Sequence, residues 1–146
     1  MKTGMVALLL FVSVMSAGCA LNGYQTIKPA DYPAVHQMFD VTFGWKKTIA
    51  ESGVTIDGYV RNNRYFIISE MDMTVSLVDG SGREKAHDNF IFIPTRLAMD
   101  THAGFNVALK AQPQPGDMIR FLYRYVALDG KEDALQWRNS FEIPAL

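Results

Sequence analysis

The chain has 146 residues, with 14 Lys and Arg against 15 Asp and Glu, a net charge of −1 and a single cysteine. That balance excludes the basic surface nucleic acid demands, and one thiol excludes an internal disulfide framework. With 49% hydrophobic and 12% aromatic residues, the composition is that of a folded core rather than a disordered chain.

Lys2 supplies a positive start, and Met5 to Met15 is an apolar run. The run is too short for about 30 Å of hydrocarbon, which takes roughly 20 helical residues. Ser16, Ala17 and Gly18 then place small residues before Cys19, as in an export signal. These residues resemble the lipobox of bacterial lipoproteins: Ala17, Gly18 and Cys19 match, while Ser16 stands where leucine is usual. The resemblance implies a signal peptide over residues 1–18, cleavage before Cys19, and acylation of Cys19 as the membrane anchor. Ala20 follows the cysteine where aspartate would retain the protein, so the family's sorting tendency favours the outer membrane, facing the periplasm. The alternative is an ordinary signal peptide cut near Ala17 or Ala20, leaving a free thiol near a soluble N-terminus. In an oxidising compartment a lone exposed thiol is a liability, which favours the lipoprotein reading.

Residues 19–35 read as a flexible tether, because Asn22-Gly23, Pro29 and Pro33 interrupt any apolar period. Such a coil reaches about 20 Å. Residues 36–146 are one domain's worth of chain.

From Met38 onward the chain alternates at period two. Phe39, Val41, Phe43 and Trp45 share one face of the first predicted strand, and Val54, Ile56, Gly58 and Val60 that of the second. Met71, Met73, Val75 and Leu77 are in phase on a third. Asp79-Gly80-Ser81-Gly82 predicts a hairpin into a fourth segment over 83–94. Phe105, Val107 and Leu109 mark a fifth. After Pro113-Gln114-Pro115-Gly116, a sixth carries Ile119, Phe121, Tyr123 and Tyr125. Beyond the Asp129–Asp133 turn, a seventh carries Leu135, Trp137, Asn139, Phe141 and Ile143. About seven strands without a helix-length segment predict an all-β, antiparallel sandwich of immunoglobulin or fibronectin-III type. Trp45, Trp137, Phe43, Phe121, Tyr123 and Tyr125 are assigned to its core.

Val60-Arg61-Asn62, the segment Val75 to Gly82, and Phe105-Asn106-Val107 resemble the FxLYD-type and LEA14-like sandwich domains of bacterial envelope proteins. Val75 and Val78 depart from that family's naming motif. The resemblance covers roughly residues 53–110 and implies a sandwich with no catalytic residues, used for contacts in the envelope.

Other chemistry is sparse. No nucleophile elbow, zinc-protease helix, phosphate loop or dinucleotide fingerprint occurs. His36, His87 and His102 lack metal-ligand spacing. Met71 and Met73 offer two thioethers to a soft metal, but their phase with Val75 and Leu77 assigns them to the core. The carboxylates of the Asp129–Asp133 turn lack a calcium-loop pattern. No cofactor is implied. Arg120, Arg124 and Arg138 on neighbouring strands predict either an ordinary charged face or a cationic docking strip for an acidic partner or polysaccharide. Leu97 and Met99 cap one end of the sandwich or present an apolar contact. These features point to a non-enzymatic, membrane-anchored accessory module with an envelope protein partner; the alternative is a glycan- or small-ligand-binding lipoprotein.

Overall fold

The computed structural model describes residues 26–130 and 134–146, so Cys19 lies outside the described residues. Among the described residues are nine strands: β1 (Ala34–Gln37), β2 (Val41–Ala50), β3 (Gly53–Asn62), β4 (Ile67–Val78), β5 (Glu84–Ile91), β6 (Arg96–Leu97), β7 (His102–Leu109), β8 (Met118–Leu128) and β9 (Leu135–Pro144). One sheet has the order β1-β2-β3-β7. The other has the order β5-β4-β8-β9, with β6 also on β4. All pairings are antiparallel. The connections β3–β4, β6–β7 and β7–β8 pass between sheets, which is the Greek-key order of an immunoglobulin- or fibronectin-III-like sandwich.

The seven long strands are those expected; β1 and β6 raise the count to nine. Both are too short for an alternation signal, four and two residues, and are held by pairing to a longer neighbour. β1 begins at Ala34, inside the stretch read as tether. Just before it, a 3₁₀ turn spans Pro29–Asp31, and the Tyr32 ring meets Tyr59 edge-on at 5.2 Å. The chain is thus laid against the outer face of the first sheet from about Ile27, and residues 27–35 belong to the folded body.

The core is the inward set of both sheets. Phe43 stands at its centre, with the rings of Phe105, Phe121, Tyr123 and Phe141 all within 6.3 Å. Phe121 and Phe141 are cross-strand partners stacked at 4.6 Å. Met71 and Met73 are buried in the same apolar cluster. The alternation breaks once inside β4: Glu70 has φ 52° and the β8 register jumps between Ser69 and Asp72. This bulge points Ile68 and Met71 inward although they are three residues apart.

On the outer face of the first sheet, Tyr59 is buried because its ring lies over Gly44. A Cβ on Gly44 would come within 2.2 Å of Tyr59 Cε1. The predicted Asp79–Gly82 turn is closed by the Asp79 carboxylate, which accepts hydrogen bonds from the Ser81 N–H, the Ser81 hydroxyl and the Arg83 N–H.

Candidate functional site

Phe39, read as in phase with Phe43, and Trp137, assigned to the core, are both exposed. Phe39 is 69% exposed, because β1 and β2 form a tight hairpin with Phe39 and Asp40 at its tip. The turn reverses the strand phase, so Phe39 points to water and Asp40 points in. Trp137 is 39% exposed although it sits on the inward face of β9. Its cover is missing because the facing edge strand, β1, ends at Gln37. The first sheet reaches only the far half of β9, where His36 stacks on Phe141 at 4.3 Å and Lys47 Nζ donates to the carbonyls of Pro144 and Ala145.

Asp40, only 3% exposed, is the polar centre of this end of the sandwich. Its carboxylate accepts hydrogen bonds from the Tyr123 hydroxyl at 3.0 and 3.1 Å and from the Tyr125 hydroxyl at 2.8 Å. A buried carboxylate needs such donors to offset its lost hydration. Burial first, and the Asp40 charge with its hydrogen bonds second, push both phenols well above their ordinary value. Asn63 ties the same hairpin down: its backbone N–H donates to the Asp40 carbonyl and its amide to the Met38 carbonyl. Fully buried Asn62 donates to the carbonyls of Phe66 and Leu97 and accepts from the Arg64 N–H, fixing the β3–β4 loop.

Around this centre runs a series of rings. Trp137 stacks on Tyr125 at 6.4 Å, Tyr125 on Phe66 at 6.2 Å, and Tyr65 meets Phe66 edge-on at 5.9 Å. Tyr65, Phe39 and Leu135 are exposed beside them. The Arg64 guanidinium lies 4.1 Å from the Phe39 ring centre, and its Nε is buried without a hydrogen-bond partner among the described residues. The result is an amphipathic, aromatic-rich surface at an open end of the sandwich, with a cation available and a rigid polar floor. Such a composition suits protein contact, where rigid rings supply area at low entropic cost. A separate hollow of about 370 Å³ lies on the other side of the first sheet, between Tyr32, Asp57, Ile93, His102 and Asn106.

Of the residues singled out from sequence, Arg120, Arg124 and Arg138 do share the outer face of the second sheet. They do not form an open cationic strip. Arg120 pairs with Glu142 at 2.6 Å and Arg124 with Asp72 at 2.7 Å, which leaves Arg138 without a carboxylate among the described residues. The histidines are apart: His36 stacks on Phe141, His87 pairs with Glu84, and His102 meets Tyr59. Among the described residues no group of three or more His, Cys, Asp or Glu is placed to hold a metal ion. Lys131, Glu132 and Asp133 of the last turn lie outside the described residues. Leu97 is buried and caps the sandwich, whereas Met99 is exposed.

Sequence reasoning missed Asp40 and Arg64. For Asp40 a signal was present in Tyr123 and Tyr125: two phenols on the inward face of one strand require a buried acceptor between the sheets.

No protein-family model matches this chain. No curated protein matches it either. Among solved structures, the GAE domain of yeast GGA1 is similar at 10% identity and a TM-score of 0.41, over 75% of this chain and 97% of that one. A beta-glucuronidase from glycoside hydrolase family 2 is similar at 10% identity and a TM-score of 0.36; the match covers 74% of this chain and 11% of the enzyme. Neither likeness bears on the chemistry of the surface.

Proposed function

We propose that this chain is a non-enzymatic lipoprotein, anchored through Cys19 to the outer membrane and facing the periplasm, where it acts as an interaction module of an envelope assembly. The observation that carries this reading is the uncovered half of the inward face of β9, with Leu135, Trp137, Phe39 and Tyr65 exposed around a rigid Asp40–tyrosine floor. Apolar rings gathered on one surface, rather than scattered singly, mark a contact site. The anchor supports it by confinement. Only seven peptide steps separate Cys19 from Thr26, at most about 25 Å of extended chain. The domain is therefore kept within a short distance of the bilayer, and a partner in the same membrane meets it at high effective concentration.

The test is in-membrane cross-linking of the acylated protein followed by affinity recovery, wild type against Leu135→Ser with Trp137→Ala. A protein partner recovered with wild type and lost with the double variant is the expected result. Recovery of the same partner by both, or of none across repeats, overturns the assignment of this surface. The exposed Trp137 and Tyr65 rings beside Arg64 also suit a sugar, the alternative reading; a glycan that raises the melting temperature with its concentration, and ceases to do so in Trp137→Ala, would establish it instead.

A further inference from the structure

We infer that the flank of the sandwich formed by β5 and β7 rests on the lipid headgroups, with Ile91 and Ile93 entering the bilayer interface. This rests on the Cys19 anchor proposed above and adds the orientation in which that anchor holds the domain. The sheet orders put β7 and β5 on one flank and β1 and β9 on the other. The two edges of the first flank are joined: the Ala108 N–H donates to Asp88 Oδ2, and the Phe90 and Phe105 rings meet at 6.3 Å. The chain from Cys19 arrives on this same flank. Ile27 lines the hollow there with Ile93 and Pro94, and a Cβ on Gly104 of β7 would lie 3.6 Å from Ile27 Cδ1. From Thr26 to Cys19 there are seven peptide steps, at most about 25 Å of chain. β4, with its 12 residues, is about 40 Å long. Setting the Asp79–Gly82 turn against the bilayer would therefore draw that connection along most of the molecule. Setting down the β5–β7 flank needs little of its reach.

The surface presented there is suited to lipid. β5 and β6 are two pieces of one edge, both paired with β4, and residues 92–95 arch between them. The Phe92 N–H donates to the Met71 carbonyl and the Glu70 N–H to the Thr95 carbonyl, which pins both feet of the arch. Phe92 is buried, so its neighbours Ile91 and Ile93 are turned out, 71% and 80% exposed. Both side chains are purely aliphatic, with no hydrogen-bonding group to orient a protein partner, unlike the rings and guanidinium at the Asp40 end. Lys28, next to Ile27, and Arg96, at the foot of the arch, are exposed and pair with no carboxylate among the described residues. Long cationic side chains flanking aliphatic ones can reach lipid phosphates while the apolar tips go deeper. Asp31 and Glu70 are also exposed nearby and keep the net attraction to anionic lipid small, so apolar contact carries the binding. Two isoleucines would not hold a free protein on a membrane. With the anchor supplying the effective concentration, a weak contact is enough to set orientation. The consequence is that the opposite flank, with Trp137 and Leu135, is turned toward the periplasm and a partner.

The experiment uses the acylated full chain in vesicles of phosphatidylethanolamine and phosphatidylglycerol that contain brominated lipid. With the Cys19 thiol acylated, a second cysteine alone takes a bimane label, placed by Thr95→Cys on the arch or by Gln136→Cys on the opposite flank. Both positions are exposed, and both labels leave the two isoleucines in place. The label at 95 is expected to be quenched by brominated lipid roughly three-fold more strongly than the label at 136, and to be the less accessible of the two to aqueous iodide. Adding Ile91→Ser with Ile93→Ser is expected to bring the label at 95 to the level of that at 136, while the protein still sediments with the vesicles. Equal quenching at 95 and 136 in vesicle-bound protein overturns the orientation and leaves the anchor standing. Quenching at 95 that survives the double serine variant overturns the role of the isoleucines. A label at 95 shielded from iodide but out of reach of brominated lipid assigns the flank to a protein and overturns the inference. Failure of the acylated chain to sediment with vesicles at all overturns the anchor and this orientation together.

Discussion

At the scale of single residues, Asp40 decides most about the open end of the sandwich. Its carboxylate satisfies two phenols buried between the sheets, so Asp40→Ala takes away the acceptor they share. A loss of roughly 2–4 kcal/mol is expected, read as a lower urea midpoint at unchanged m-value. The same geometry fixes a pH dependence. Tyr123 and Tyr125 are held above their ordinary value of 10.0 in the folded state, while in the unfolded chain they ionise near it. Above pH 10 the folded state binds more protons than the unfolded one, so stability declines as pH rises; below pH 10 the contribution is fully present. Urea midpoints measured from pH 8 to 11.5 are expected to fall only beyond about 10, with phenol ionisation of these two rings appearing together with unfolding. A decline that starts near pH 8, or phenols that ionise in the native protein near 10, would contradict the burial of both hydroxyls.

At the scale of elements, the strands follow from alternation and the irregularities from particular contacts. The bulge at Glu70 lets β4 begin at Ile67 rather than Met71, and no period-two reading anticipates a reversal of phase within a strand. The β1–β2 hairpin does the same for Phe39 and Asp40. Tyr59 shows how an outward position becomes buried: its ring needs the bare backbone of Gly44 beneath it and Tyr32 beside it. Gly44→Ala is expected to lift that ring and cost about 1–3 kcal/mol, with a loss of near-ultraviolet dichroism from the displaced tyrosine. Unaltered dichroism and stability would show that the ring accommodates a methyl group. The arginines make the complementary point. Alternation placed Arg120, Arg124 and Arg138 on one face, but cross-strand register alone supplied Glu142 and Asp72 to neutralise two of them.

At the scale of the whole molecule, the proposed anchor and the fold together set how the surface is presented. With residues 27–35 laid on the first sheet, the connection to Cys19 is shorter than the sequence suggested. Cys19→Ser is expected to move the protein from the membrane fraction to the soluble periplasmic fraction without altering its melting temperature; retention in membranes would remove the acyl anchor from the proposal. The amino-acid sequence by itself determined the seven long strands, most of their inward faces and the two-sheet class, because burial of one face imposes a local period of two whatever the partner. It also carried the Cys19 pattern, which is read as linear residues and needs no fold. Tertiary structure alone decided which inward positions are actually covered. Leu135, Trp137 and Phe141 have the same phase on β9, yet only Phe141 lies beneath β1, which stops at Gln37. Cover depends on where another strand ends, and that information is stored far away in the chain.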